Sequence, residues 1–242
     1  MKNIRDISVV QIRIFDFDVL PFLKFNTYTF LEDFITKFRF MGELPKLGSD
    51  KLQLSKGELK TEEKIIPIIN LEIEPTKISF RVNGSSSDAN IFYQAIAEII
   101  ISCQGDKLSN SIEPLVCVEQ TTCIVELDLD IKSCLSDSIL QFAGNNLIHA
   151  TSNDNAASFL KGFKLSFEIG YNINDSMLKD KGVTFLPKYF TVEPRIGTSL
   201  KEKKYFTSSP TDSDTHIRLI KELEARLKER SRKPPKVIAK VL

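Results

Sequence analysis

Two alternating runs joined by only two residues constrain the fold of this chain more than any other feature. In residues 65–74, Ile69, Leu71 and Ile73 alternate with Asn70, Glu72 and Glu74; in residues 77–82, Ile78, Phe80 and Val82 alternate with Ser79 and Arg81. A period of two gives each run one apolar and one polar face, as in a half-buried strand. With Pro75 and Thr76 between them, the runs read as an antiparallel hairpin.

The same period recurs in residues 9–17, where Val10, Ile12 and Ile14 oppose Gln11 and Arg13, and in residues 159–171, where Phe163, Leu165, Phe167 and Ile169 oppose Lys164, Ser166 and Glu168. Residues 123–132 repeat it, with Val125, Leu127, Leu129 and Ile131 facing away from Glu126, Asp128, Asp130 and Lys132; residues 115–118 either form a hairpin with them through 119–122 or belong to one long bent strand. Residues 183–192 are a further strand, which Pro187 confines to an edge or a bulge. Helical spacing appears in Phe30, Phe34 and Phe38, with Leu31 and Ile35 beside them. It returns in Ile91, Phe92, Ala95, Ile96, Ile99 and Ile100, which predict a helix over residues 88–103 behind the N-capping residues 83–88. A short helix is expected over residues 136–147. Residues 41–63 are rich in Gly, Pro, Ser, Lys and Glu with little period, and read as a long surface loop. The fold class that follows is α+β, a mainly antiparallel sheet with helices on one face. At 242 residues and 42% hydrophobic, the chain is expected to form one globular domain over residues 1–200. A linker, an amphipathic helix and a basic tail follow over 201–242, and no fixed-period repeat is present.

In that last segment Asp214 or Thr215 can cap a helix carrying Ile217, Ile220, Leu223 and Leu227 on a narrow stripe, opposite Arg218, Lys221, Glu222, Arg226 and Lys228. About one apolar residue per turn suits a two-helix seam, so these four are the expected partner-binding residues. Beyond them Pro234 and Pro235 extend the chain, and residues 237–242 are apolar enough to add a strand to a sheet edge. Residues 201–242 hold 12 Lys and Arg against 6 Asp and Glu, leaving 21 against 26 in a mildly acidic body.

Chemistry is less clearly marked. Nothing matches G-x-S-x-G, H-E-x-x-H, the P-loop or G-x-G-x-x-G, and no cofactor is expected. Glu126, Asp128 and Asp130 share one face of a strand, where two neighbours at roughly 7 Å spacing can share a magnesium ion. Asp16 and Asp18 resemble the aspartate pair of phosphotransferring hydrolases in spacing alone, since Val19, Leu20 and Pro21 replace its Gly/Thr turn. His149 and His216 lie near no nucleophile motif and read as surface or structural residues. Cys103, Cys117, Cys123 and Cys134 form no C-x-x-C pair and read as reduced thiols. Phe22, Phe25 and Phe30 are candidates for an exposed patch. The start of the chain has no signal-peptide pattern, and no apolar run approaches the roughly 20 residues of a membrane span. A cytoplasmic protein is therefore expected, without a membrane contact.

The leading expectation is a non-catalytic interaction or subunit protein of a larger intracellular assembly, docking a protein partner or a second copy through its C-terminal helix and tail. One alternative is a nucleic-acid-associated protein in which Arg226, Lys228, Arg230, Arg232, Lys233 and Lys236 meet phosphates. The other is a metal-dependent hydrolase built on Glu126, Asp128 and Asp130.

Overall fold

The computed structural model describes residues 1–17, 19–22, 27–43, 45, 48–104, 112–128, 131–148, 163–172, 176–180 and 184–232. Along the chain run β1 (Asn3–Ile14), α1 (Tyr28–Phe38), β2 (Leu52–Lys60), β3 (Ile65–Glu74), β4 (Lys77–Asn83), α2 (Ser86–Gln104), β5 (Val116–Glu126), α3 (Asp137–Gln141), β6 (Leu165–Ile169), α4 (Ser176–Asp180), β7 (Lys188–Pro194), β8 (Lys204–Ser209) and α5 (Ser213–Arg232). The strands are hydrogen-bonded in the order β2-β3-β4-β1-β5-β8-β7-β6. The α+β class and the antiparallel sheet expected from the sequence are those the chain adopts. It divides into two compact units, a first made of residues 6–123 and 208–216 and a second made of residues 1–5, 124–207 and 217–242.

The β3–β4 hairpin organises the first unit. Glu74 pairs with Lys77 across the two-residue turn, as the alternation required. Its register against β4 then shifts between Ile68 and Asn70, which makes Ile69 the extra residue of a bulge. Ile69 is 40% exposed, and the buried set is Ile66, Ile68, Leu71 and Ile73; the bulge corrects the assignment of Ile69 to the core face. Helices α1 and α2 supply the aromatic half of this core. Phe38 and Phe80 both meet the Phe92 ring edge-on, at centroid distances of 5.0 and 5.1 Å. Phe22 and Phe30 are buried as well, so they form no exposed patch; Phe25 lies outside the described residues. Helix α2 begins at Ser86, earlier than its apolar spacing suggested, because Ser85 and Asp88 cap it reciprocally. The Ser85 amide donates to Asp88 Oδ2 at 2.8 Å and the Asp88 amide to Ser85 Oγ at 3.3 Å.

Within the segment expected as a loop, residues 52–60 form the strand β2. Leu52, Leu54 and Leu59 of β2 are buried, paired with Ile73, Leu71 and Ile66 of β3. Lys56, at φ 57°, breaks the alternation between Leu54 and Gly57, so the strand carries no continuous period. In β1 Ser8, Val9 and Gln11 are buried, and Val9 and Gln11, which pair with Val82 and Phe80, lie on the face expected to meet solvent.

In the second unit Val125, Leu127, Ile131, Val192, Tyr205, Ile220 and Leu227 are buried. The two segments at 115–118 and 123–132 resolve into the single strand β5, which stops at Glu126, and Ile131–Cys134 is a 3-10 turn. Strand β8 lies where a linker was expected. Helix α5 is capped by Asp212 instead of Asp214 or Thr215, with the Thr215 amide donating to Asp212 Oδ1 at 2.8 Å. No described helix is long and apolar enough to cross a membrane.

Candidate functional site

Two of the four stripe residues on α5 face the interior of the chain. Ile220 is 1% exposed, Leu227 is buried, and Ile217 and Leu223 are half-buried. Between them Glu224 is 5% exposed. Its carboxylate accepts from the Asp128 amide at 2.7 Å and pairs with the Met1 ammonium and with Lys228 at 3.5 Å. Burial opposes the charge on Glu224, but these partners outweigh it and hold the carboxyl below its ordinary range.

Glu126 and Asp128 are not together on a strand face, because β5 ends between them. Cations surround Asp128, with Lys228 at 3.2 Å and Lys2 at 3.3 Å, and the hydrogen bond from Lys228 draws its carboxyl below the ordinary value. Asp130 lies outside the described residues. Among the described residues, no three His, Cys, Asp or Glu side chains are placed to hold a metal ion. Of the basic residues, Arg226 is exposed, Lys228 is engaged by Asp128 and Glu224, and Arg230 and Arg232 occupy the last turn of α5. Lys233 and Lys236 lie outside the described residues, as do Asp18 and His149. His216 is 0% exposed, and burial pushes its imidazole down to about 4.

A polar network in the first unit escaped the sequence reading. Gln11 donates to Asn90 Oδ1 at 3.0 Å and to Glu119 Oε2 at 2.9 Å, and Arg13 donates to Gln11 Oε1 and Asn90 Oδ1 at 2.9 and 2.8 Å. The Arg13 guanidinium also lies 3.6 Å from the centre of the Tyr93 ring. Ser86 donates its hydroxyl to Glu119, while Ser86 and Ser213 cap each other's amides at 3.1 and 2.7 Å. The carboxylate of Glu119 thereby holds Ser86 in the first turn of α2, where negative charge is favoured. Its donors and acceptors are turned on one another, which makes it a brace between strand and helices. Parity in β1 could have revealed it, since Gln11 and Arg13 share the face of Val9.

The edges of the strand order differ in a way that bears on binding. At β2, Met41 and Gly42 run alongside the outer backbone, their amides donating to Lys56 O at 3.0 Å and Ser55 O at 3.1 Å. At the other end, β6 has β7 as its neighbour. In that hairpin Leu165, Phe167 and Ile169 pair with Val192, Phe190 and Lys188 on one face, and Ser166 and Glu168 with Thr191 and Tyr189 on the other. Phe167 is 52% exposed and Tyr189 49%. Lys164 and Glu193 extend the second face with an ion pair at 3.2 Å, while Glu168 meets no cation among the described residues. Short length, bulges, lysines or a covering segment normally blunt such an edge; β6 is short but carries neither bulge nor lysine. No protein-family model and no curated protein matches the chain.

Proposed function

We propose that this chain is a non-catalytic interaction or subunit protein of a larger assembly, and that it takes an extended segment on the outer edge of β6. The observation carrying this reading is that edge, with Phe167 and Tyr189 half-exposed beside Glu168. Strand addition would supply main-chain hydrogen bonds for affinity, and alternate side chains would supply selectivity. Ile220 and Leu227 are committed to the interior of the second unit. Docking is therefore assigned to the hairpin and the tail rather than to the α5 stripe.

Affinity capture from native cells tests the reading with Phe167→Asp, and with Tyr28→Asp as a control on another exposed aromatic residue. Loss of the partner with Phe167→Asp alone is the expected outcome. Equal recovery with both variants, each retaining the wild-type melting temperature, contradicts it. Truncation before Asp214 is unsuitable, since it removes Ile220, Glu224 and Leu227 from the second unit.

A further inference from the structure

We infer that the segment taken on the outer edge of β6 is β6 of a second copy of this chain, antiparallel across a two-fold axis beside Ser166, an inference that rests on the strand-accepting reading above. A two-fold interface opposes one patch to itself, so that patch must be self-complementary. The β6 edge meets this condition. Leu165, Phe167 and Ile169 share one face, and Ser166 and Glu168 the other. The register that sets Leu165 opposite Val192 continues one residue further, since Lys164 comes next opposite Glu193 and pairs with it at 3.2 Å. Lys164 therefore lies on the face of Ser166 and Glu168, and the two opposite charges flank Ser166 symmetrically.

That symmetry fixes the register. A strand paired antiparallel with its own copy keeps apolar against apolar only when the axis passes beside a residue, because a slip of one position turns one face onto the other. With the axis at Ser166, Lys164 stands opposite the second copy's Glu168 and Glu168 opposite its Lys164, while Leu165 meets Phe167 and Phe163 meets Ile169. With the axis at Glu168, two carboxylates would oppose each other, which is destabilising. An axis at Phe167 would set Lys164 against Gly170 and Glu168 against Ser166, and one at Leu165 would set Lys164 against Ser166. Neither joins the charges.

The Ser166 register also answers what the single chain leaves open on each face. On the polar face Lys164 stands between Glu193 of its own hairpin and the second copy's Glu168, so that three charges of alternating sign run across the strands. On the apolar face the second copy's Leu165 extends the Phe167–Phe190 ring pair, whose centroids are 6.1 Å apart, and covers the half-exposed Phe167. Main-chain hydrogen bonds between the two strands add to this burial. Residues 163–169 are few beside the roughly 20–30 a side of a standard interface. The dimer therefore dissociates on dilution, and a partner segment that binds the same edge displaces it.

Sedimentation equilibrium of the full-length chain, from micromolar to millimolar concentration, reads the dimer, and two charge reversals read its register. Lys164→Glu and Glu168→Lys each set like charges opposite one another twice, and each alone should raise the dissociation constant by about tenfold or more. An equimolar mixture of the two variants regains both opposite-charge pairs in the mixed dimer, and with them an affinity near that of the wild type. Both side chains are exposed, so each variant keeps the wild-type melting temperature in dilute solution. A wild type that stays monomeric to millimolar concentration overturns the inference. Single variants that dimerise as the wild type does overturn it too, as does a mixture that associates no more tightly than they do. A monomeric wild type whose capture of a cellular partner is lost with Phe167→Asp leaves the edge reading standing, whereas capture that survives Phe167→Asp counts against the edge itself.

Discussion

Strands β2 and β6 stand at the two ends of one strand order, yet their outer backbones are treated differently. Outside β2 the chain turns back on itself. Residues 41 and 42 bond to it, Phe40 packs its ring on Gly57, and Lys56 takes a left-handed conformation within the strand. Outside β6, the described residues place no strand. An edge closed by covalently adjacent chain needs small residues at the contact. Gly42 is one, because a Cβ there would lie 2.3 Å from Ser55 Oγ and 2.8 Å from Ser55 O. Strand β6 keeps uninterrupted alternation and the aromatic Phe167 instead, which suits an added strand.

The contrast is most sharply broken at Phe40. Its ring is buried and 6.0 Å from that of Phe38, so Phe40→Ala should cost about 3 kcal/mol in urea unfolding. It should also speed amide exchange at Met41 and Gly42, and stability within error of wild type would show that the β2 edge does not depend on this cover.

Acid acts on the same unit through His216. With a folded pKa of about 4 against an unfolded value near 6.5, the unfolded chain binds the extra proton between those values. Stability is therefore retained above about pH 6.5 and lost as pH falls toward 4, by about 2 kcal/mol at pH 5. His216→Gln should flatten that window in thermal melts at pH 7 and pH 5. Below it, Asp88 and Glu224, both held low by their partners, become the groups whose protonation destabilises the fold.

Gly42→Ala should cost about 1–2 kcal/mol by the clash with Ser55. An unchanged midpoint would mean that the covering segment can move aside. At the opposite edge Phe167→Lys should alter stability by less than about 0.5 kcal/mol, since half its surface already meets water. A larger loss would show that Phe167 is a core residue.

What the sequence reveals depends on whether backbone irregularity interrupts it. The β3–β4 hairpin was legible because its turn has two residues and its strands alternate up to the bulge at Ile69. Strand β2 was not, since Lys56 inverts the phase midway and leaves a composition that reads as loop. Strand β8 was hidden by its own chemistry: Thr207, Ser208 and Ser209 are turn formers in isolation, yet all three are buried. Ile217, Ile220, Leu223 and Leu227 are legible as an apolar stripe, but periodicity cannot say whether such a face meets another molecule or its own chain. Neither β6 as an edge nor its polarity could be read before the strand order was known, because both depend on β8 pairing between β5 and β7.

Amide hydrogen exchange measured at both edges of the same full-length protein, in dilute solution, tests the central contrast most directly. If β2 is closed by its own neighbouring chain and β6 accepts an added strand, Met41 and Gly42 will exchange slowly, while the outward amides of β6 will exchange faster than they do. Outward β6 amides protected as strongly as Met41 and Gly42 would contradict it.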